Sequence, residues 1–225
     1  RREFLKCALL MVMLIVVSVQ ASDVPLRPKE IYRRASRAVV ALQCANAKET
    51  ASLRTGFIID AGILTAQSAL SGAPGETCES IRVYLKPVRV SGDPKQDFTE
   101  SHSGRLIRSD NRLDLALIKF EKVPGIEAPL VLGDSNQIQI GDSVATIGFS
   151  KTVGPWTMTQ GIVTSLLSDF RGVPGKTVIN ANATVDEGFL GAPLLDSYGR
   201  LVGIGSMNTF VTSNVVKKWI ESGRK

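Results

Sequence analysis

Few side chains in this 225-residue sequence can do chemistry, and their spacing narrows the choice further. His102 is the only histidine, and histidine is the side chain best suited to act as a general base near neutral pH. It lies in a polar stretch ahead of Asp114, where a histidine most simply belongs to the surface. A lone histidine cannot supply the several ligands that a zinc site needs, so no metal is expected. Ser68 offers a hydroxyl, but no lysine or histidine stands beside it to take its proton. Asp114 offers a carboxylate within Leu113-Asp114-Leu115-Ala116. Cys44 and Cys78 are too far apart to form a CxxC metal or redox motif. No glycine-rich phosphate loop is present, and no cofactor is expected.

The elements that must position these groups read as β-structure. Hydrophobic residues make up 44% of the chain and charged residues 21%, the composition of a packed globular core. Short apolar runs recur from Ala38 to Phe120 and again from Leu130 to Ile204, separated by Gly, Pro, Asp and Asn. Strand-helix alternation is lacking, so a parallel α/β sheet is disfavoured. The segment 123–129 divides the pattern into two halves, each long enough for a barrel of about six strands, over about 37–122 and 129–212. The fold class is therefore all-β: two antiparallel barrels with a C-terminal helix. A short helix is expected over Lys29 to Ser36. The last helix is expected from Ser213, with Ser213 and Asn214 as caps and Val215, Val216, Trp219 and Ile220 as its apolar face. Segment 91–104 reads as a surface loop that ends in a new strand, its charges serving only to solvate it. The net charge of +6 comes without basic runs interleaved with aromatics, so nucleic acid is not an expected partner.

The N-terminus has the pattern of an export signal. Basic residues Arg1 to Lys6 precede an apolar run, Cys7 to Val19, and Val19-Gln20-Ala21 precedes a cut before Ser22. Residues 1–21 are read as a signal peptide and 22–225 as the mature, membrane-free chain. An uncleaved anchor is the second reading, because the apolar run falls short of the roughly 20 residues of a span. Arg1-Arg2 also suggests the bacterial twin-arginine route. The expected location is periplasmic or secreted. There Cys44 and Cys78 either form one disulfide or remain two thiols. The sequon Asn182-Ala183-Thr184 is read as accidental.

Three ordered segments resemble the protease domain of the HtrA/Do family, which has the trypsin (chymotrypsin-type) fold. Thr55-Gly56-Phe57-Ile58-Ile59-Asp60 with Gly62-Ile63-Leu64-Thr65-Ala66-Gln67-Ser68-Ala69-Leu70 parallels a glycine-phenylalanine strand and Ile-Leu-Thr-x-x-His-Val. Leu113-Asp114-Leu115-Ala116-Leu117-Ile118-Lys119 parallels Asp-Leu-Ala-Leu-Ile-Lys. Gly188-Phe189-Leu190-Gly191-Ala192-Pro193-Leu194 parallels Gly-Asn-Ser-Gly-Gly-Pro-Leu. The resemblance implies two six-stranded barrels with a Ser-His-Asp triad at their junction. At the triad positions only Asp114 keeps its type, because Ser68 takes the histidine's place and Leu190 the serine's.

Leucine has no nucleophilic atom, and the triad acts as a unit, so the resemblance implies a degenerate protease without catalytic power. The oxyanion loop, residues 188–192, keeps Gly188 and Gly191 but carries Phe189 for Asn and Ala192 for Gly. The Cβ of Ala192 is expected to hinder the backbone conformation the loop needs. Phe189 and Leu190 either plug the old cleft or form an apolar patch. Only nine residues, Ile204 to Thr212, follow where the family places two strands and a loop, so the specificity pocket should be reduced. Relatives often continue into PDZ domains, and none is expected within this sequence. The implied function is protein or peptide binding at a strand edge beside the cleft, with an unidentified partner. Trimerisation is expected by family analogy. The alternatives are a working serine endopeptidase and a regulatory subunit of an active protease.

Overall fold

The computed structural model describes residues 24–46, 49–50, 53–70, 78, 80–120, 129–150, 152–183, 186–206 and 208–223. The leader read in residues 1–21, most of the dividing segment and Thr184 of the sequon lie outside the described residues. Among the described residues, no helix is long and apolar enough to cross a membrane.

Helix α1 (Pro28–Ala35) is the first element among the described residues. The first half then supplies β1 (Val39–Asn46), β2 (Glu49–Thr50), β3 (Arg54–Ile59), β4 (Gly62–Thr65), β5 (Ser80–Tyr84), helix α2 (Pro94–Asp97), β6 (His102–Asp110) and β7 (Leu115–Phe120). Strand order is β2-β1-β3-β4-β7-β6-β5, and β5 returns to pair with β1 from Ala41↔Tyr84 to Ala45↔Ser80, which closes a six-stranded barrel. The second half supplies β8 (Ser143–Ser150), β9 (Gly154–Leu167), β10 (Val178–Ala181), β11 (Pro193–Leu195), β12 (Leu201–Ser206) and β13 (Thr209–Thr212). They close a second barrel in the order β10-β13-β12-β11-β8-β9. The final helix is α3 (Ser213–Ser222).

Period-two patterning explains the strands that were legible. In β5, Ile81 and Val83 face the core while Ser80 and Arg82 face out. Strand β6 begins where the new strand after the 91–104 loop is expected, although most of its positions lie toward the outside. Its inward position is Gly104, where a Cβ would come within 2.9 Å of Ile118 and 3.1 Å of Val83. An apolar residue there has no room, so the segment carries little hydrophobic signal.

Segment 91–104 does more than solvate. The buried carboxylate of Asp97 accepts hydrogen bonds from Ser91 N at 2.7 Å, Ser91 Oγ at 2.9 Å and Gly92 N at 2.8 Å. That fixes the turn which carries Phe98 into an aromatic cluster with Tyr84, Phe149 and Trp156, at ring separations of 5.4, 6.1 and 5.6 Å. Tyr84 belongs to the first barrel, Phe149 and Trp156 to the second. Trp156 also donates its indole N–H to Val39 O at 2.9 Å, so the cluster joins the barrels.

The C-terminal helix buries Val215, Val216 and Trp219 as its pattern foretells, but its cap differs. Thr212 holds the N-cap position, and the Ser213 hydroxyl instead donates to Gly133 O at 2.8 Å. The far end of α3 is held by Arg108 of β6. Its guanidinium donates to Trp219 O and to Ser222 Oγ and stacks 4.5 Å from the Trp219 ring. Cys44 and Cys78 are bonded, which settles the pairing left open by sequence and ties β1 to the approach of β5.

Candidate active-site cleft

Four strands deliver the candidate residues to the barrel junction. Ser68 sits in the 3-10 turn Gln67–Ala69 that follows β4. Asp114 precedes β7 with φ of 61°, a left-handed conformation that aims its carboxylate back toward that turn. Leu190 follows the 3-10 turn Glu187–Phe189, ahead of β11. Strand β3 anchors this last segment: Thr55 N donates to Leu190 O at 3.2 Å, and Thr55 Oγ1 donates to Gly188 O at 2.7 Å. Gly191, with φ of 81°, packs so tightly that a Cβ would lie 2.1 Å from Thr65 Oγ1 and 2.2 Å from Thr55 O. Only glycine fits there. Thr65 stands just upstream of Ser68, so the three sequence motifs do meet at one place.

Asp114 is the centre of a compact network. Its Oδ1 accepts from Ser68 N at 2.7 Å, and its Oδ2 accepts from Ser68 Oγ at 2.9 Å and Ser206 Oγ at 2.5 Å. Nearby Lys176 is buried and donates to Arg112 O at 3.0 Å. Burial pushes the Lys176 amine pKa down, and the negative charge of Asp114 opposes that push. Neither Ser206 nor Lys176 was singled out from sequence. Ser206 had a faint signal, as the polar end of the otherwise apolar run Leu201 to Gly205. Lys176 had none, because a lone lysine in a loop reads as surface. His102 lies elsewhere in the first barrel, half-buried on β6 opposite Val83.

The oxyanion loop is folded in on itself. In the triad mechanism the donors are the N–H of the nucleophile and the N–H two residues before it, positions that the family resemblance sets at Leu190 and Gly188. Gly188 N donates to Asp186 Oδ1 at 2.8 Å, and Leu190 N donates to Glu187 O at 3.1 Å. Asp186 is itself held by Ser150 Oγ at 2.7 Å. Of the two apolar side chains, Phe189 is the plug: it is 2% exposed and packs against Gly148. Leu190 stays half-buried at the surface. Ala192 is accommodated without a positive φ, so its Cβ does not strain the loop as expected from sequence. Its N–H donates to Phe189 O at 2.9 Å.

The reduced segment after Ile204 keeps both strands and loses the loop. Strand β12 runs to Ser206 and β13 begins at Thr209, with Asn208 in the turn at φ of 66°. Strand β12 is paired with β13 as far as Ser206↔Thr209, and on its other side Gly205 exchanges hydrogen bonds with Gly191 and Ala192. The open edge expected beside the cleft is therefore confined to Ser206 and the turn.

Comparison with known proteins agrees with this geometry. Residues 54–204 match the family model for the trypsin-like peptidase domain. Protease Do-like 5, chloroplastic, of Arabidopsis thaliana is 34% identical over 113 residues, which cover 47% of this chain and 33% of that protein. A probable periplasmic serine endoprotease DegP-like of Pseudomonas savastanoi pv. phaseolicola is 33% identical over 165 residues, covering 71% and 30%. The chain thus spans about a third of the length of these curated relatives. Among solved structures, Deg5 superposes with a TM-score of 0.68 at 26% identity, over 86% of this chain and 94% of that one. The HtrA-type protease AlgW, solved with a tripeptide, gives 0.68 at 25% identity over 86% and 62%. Two closed barrels, a junction built from the three motifs and these matches together place the chain in the trypsin-like peptidase domain family, among its HtrA/Do-like members.

Proposed function

We propose that this protein is an exported, non-catalytic member of the family that binds a protein or peptide at its former active-site cleft. The observation that carries the reading is the state of the catalytic groups. The Asp114 carboxylate, which would orient a histidine, is taken up by Ser68 and Ser206. The position of the nucleophile holds Leu190, and both N–H groups that would stabilise an oxyanion are bonded within the loop. A base, a nucleophile and an oxyanion site are all needed for acyl transfer, and none is in working form. Binding needs none of them. Export is supported by the leader pattern and by the periplasmic assignment of DegP-like relatives. Homotrimer formation remains part of the proposal by family analogy.

The test is incubation of the purified protein with casein and with a fluorophosphonate probe. The expected result is no cleavage and no covalent label. Label or cleavage that persists through repurification, and is lost in Ser68→Ala, would overturn the reading in favour of a working endopeptidase. Co-purification from the native host, with mass measurement in solution, identifies the partner and separates a free-standing binder from a subunit of an active protease.

A further inference from the structure

Among the described residues, Arg54 is a charged side chain beside the former cleft that is only partly satisfied. It opens β3, directly before Thr55, whose N–H and hydroxyl hold the oxyanion loop at Leu190 and Gly188. Its side chain is 17% exposed, and Nη1 is buried without a hydrogen-bond partner among the described residues. Nη2 lies 3.6 Å from Glu187 Oε2, close enough for attraction and too far for a good hydrogen bond. Glu187 is 80% exposed, so water screens the pair and its side chain can swing away at little cost. A guanidinium attracts carboxylates strongly, and Nη2, paired only loosely with the exposed Glu187, is the nitrogen that a ligand carboxylate would take over. The half-buried Leu190 provides apolar surface on the same loop.

We infer that Arg54 recognises a carboxylate of the bound peptide, with Glu187 as the resident counter-ion that the ligand displaces. This rests on the peptide-binding reading above and specifies its ligand: an acidic peptide. With the open edge of β12 confined to its end at Ser206, side-chain recognition at the rim carries much of the role that strand addition would have had. The carboxylate can come from an Asp or Glu side chain or from a free C-terminus, and the peptide set below separates the two.

The probes are fluorescein-labelled nine-residue peptide pools with a fixed central Asp or Asn, each made with a free and an amidated C-terminus. Binding to the full chain is read by fluorescence polarisation at low and high salt. The expected result is at least a five-fold preference for the Asp over the Asn pool, about 1 kcal/mol, shrinking at high salt. A preference for free over amidated ends instead assigns the site to a C-terminal carboxylate. Arg54→Gln should abolish the preference for the carboxylate-bearing pools. Glu187→Gln, a change at an exposed position that should not disturb folding, should strengthen binding of the carboxylate-bearing pool. Equal binding of all pools by the parent protein, or a preference that survives Arg54→Gln, overturns the role of Arg54 alone. Binding of no pool overturns the peptide-binding reading with it.

Discussion

Rebuilding the nominal triad should not rebuild a protease. Ser68→His with Leu190→Ser would restore the three side-chain types around Asp114, yet the oxyanion loop would remain closed. Turning both donors outward requires breaking the bonds from Gly188 N to Asp186 Oδ1 at 2.8 Å and from Leu190 N to Glu187 O at 3.1 Å. Each contributes about 1 kcal/mol net. Refolding the turn also withdraws Phe189, 2% exposed, from its seat beside Gly148, at about 2 kcal/mol. The sum is about 4 kcal/mol, so only about one molecule in a thousand would present an open oxyanion site. The double variant is therefore expected to show no measurable casein hydrolysis and at most a trace of fluorophosphonate labelling. Adding Phe189→Asn and Ala192→Gly removes the plug and should give weak, poorly selective cleavage, because the turn at Asn208 leaves no loop to wall a substrate side chain. Turnover by the double variant within about ten-fold of an active HtrA-type protease would refute this. It would mean that opening the loop costs less than about 1.4 kcal/mol, the equivalent of one ten-fold loss.

Three further outcomes follow from the same contacts. Asp114→Ala leaves Ser68 N, Ser68 Oγ and Ser206 Oγ without their acceptor and should lower stability by about 3 kcal/mol in urea unfolding, whereas Ser68→Ala should cost about 1 kcal/mol. For Asp97, burial raises the carboxyl pKa, but hydrogen bonds from Ser91 and Gly92 outweigh it and the net shift is downward. Its contribution is thus present above the unfolded carboxylate pKa of about 4 and is lost as pH falls through the folded value, so Asp97→Asn should flatten acid unfolding in that window. Opening the Cys44–Cys78 bond, which closes a sequence separation of 34, should cost about 3–4 kcal/mol, read as a lower midpoint under reducing conditions.

What sequence could and could not give is clear from particular residues. The barrels were legible because strands such as β5 alternate cleanly, and the junction because its three motifs keep their order. Strand β6 carries a weak pattern for its length, since Gly104 fills a position where a neighbour's side chain leaves no room for another. Asp97 and Phe98 differ from expectation for a related reason: a polar segment looks solvated until one of its carboxylates, Asp97, is seen to organise a buried turn. The partners of Asp114 could not be found from spacing, because Ser206 is 92 residues away in the chain and reaches it only after the second barrel has closed. The same holds for the disulfide, whose pairing depends on register between β1 and β5.

The clamp of Arg108 on the end of α3 has a mechanical consequence. Helix α3 follows β13 directly and packs on the second barrel, yet its last turn is fastened to β6 of the first. A pull applied at Gly223 therefore does not peel β13 from β12 and unzip the second barrel from its end. The load passes through the guanidinium into β6, whose ladder with β7 runs from Gly104 to Asp110, so it is borne in shear along a row of hydrogen bonds. The arginine thus fastens the outer end of the second barrel's helix to the first barrel.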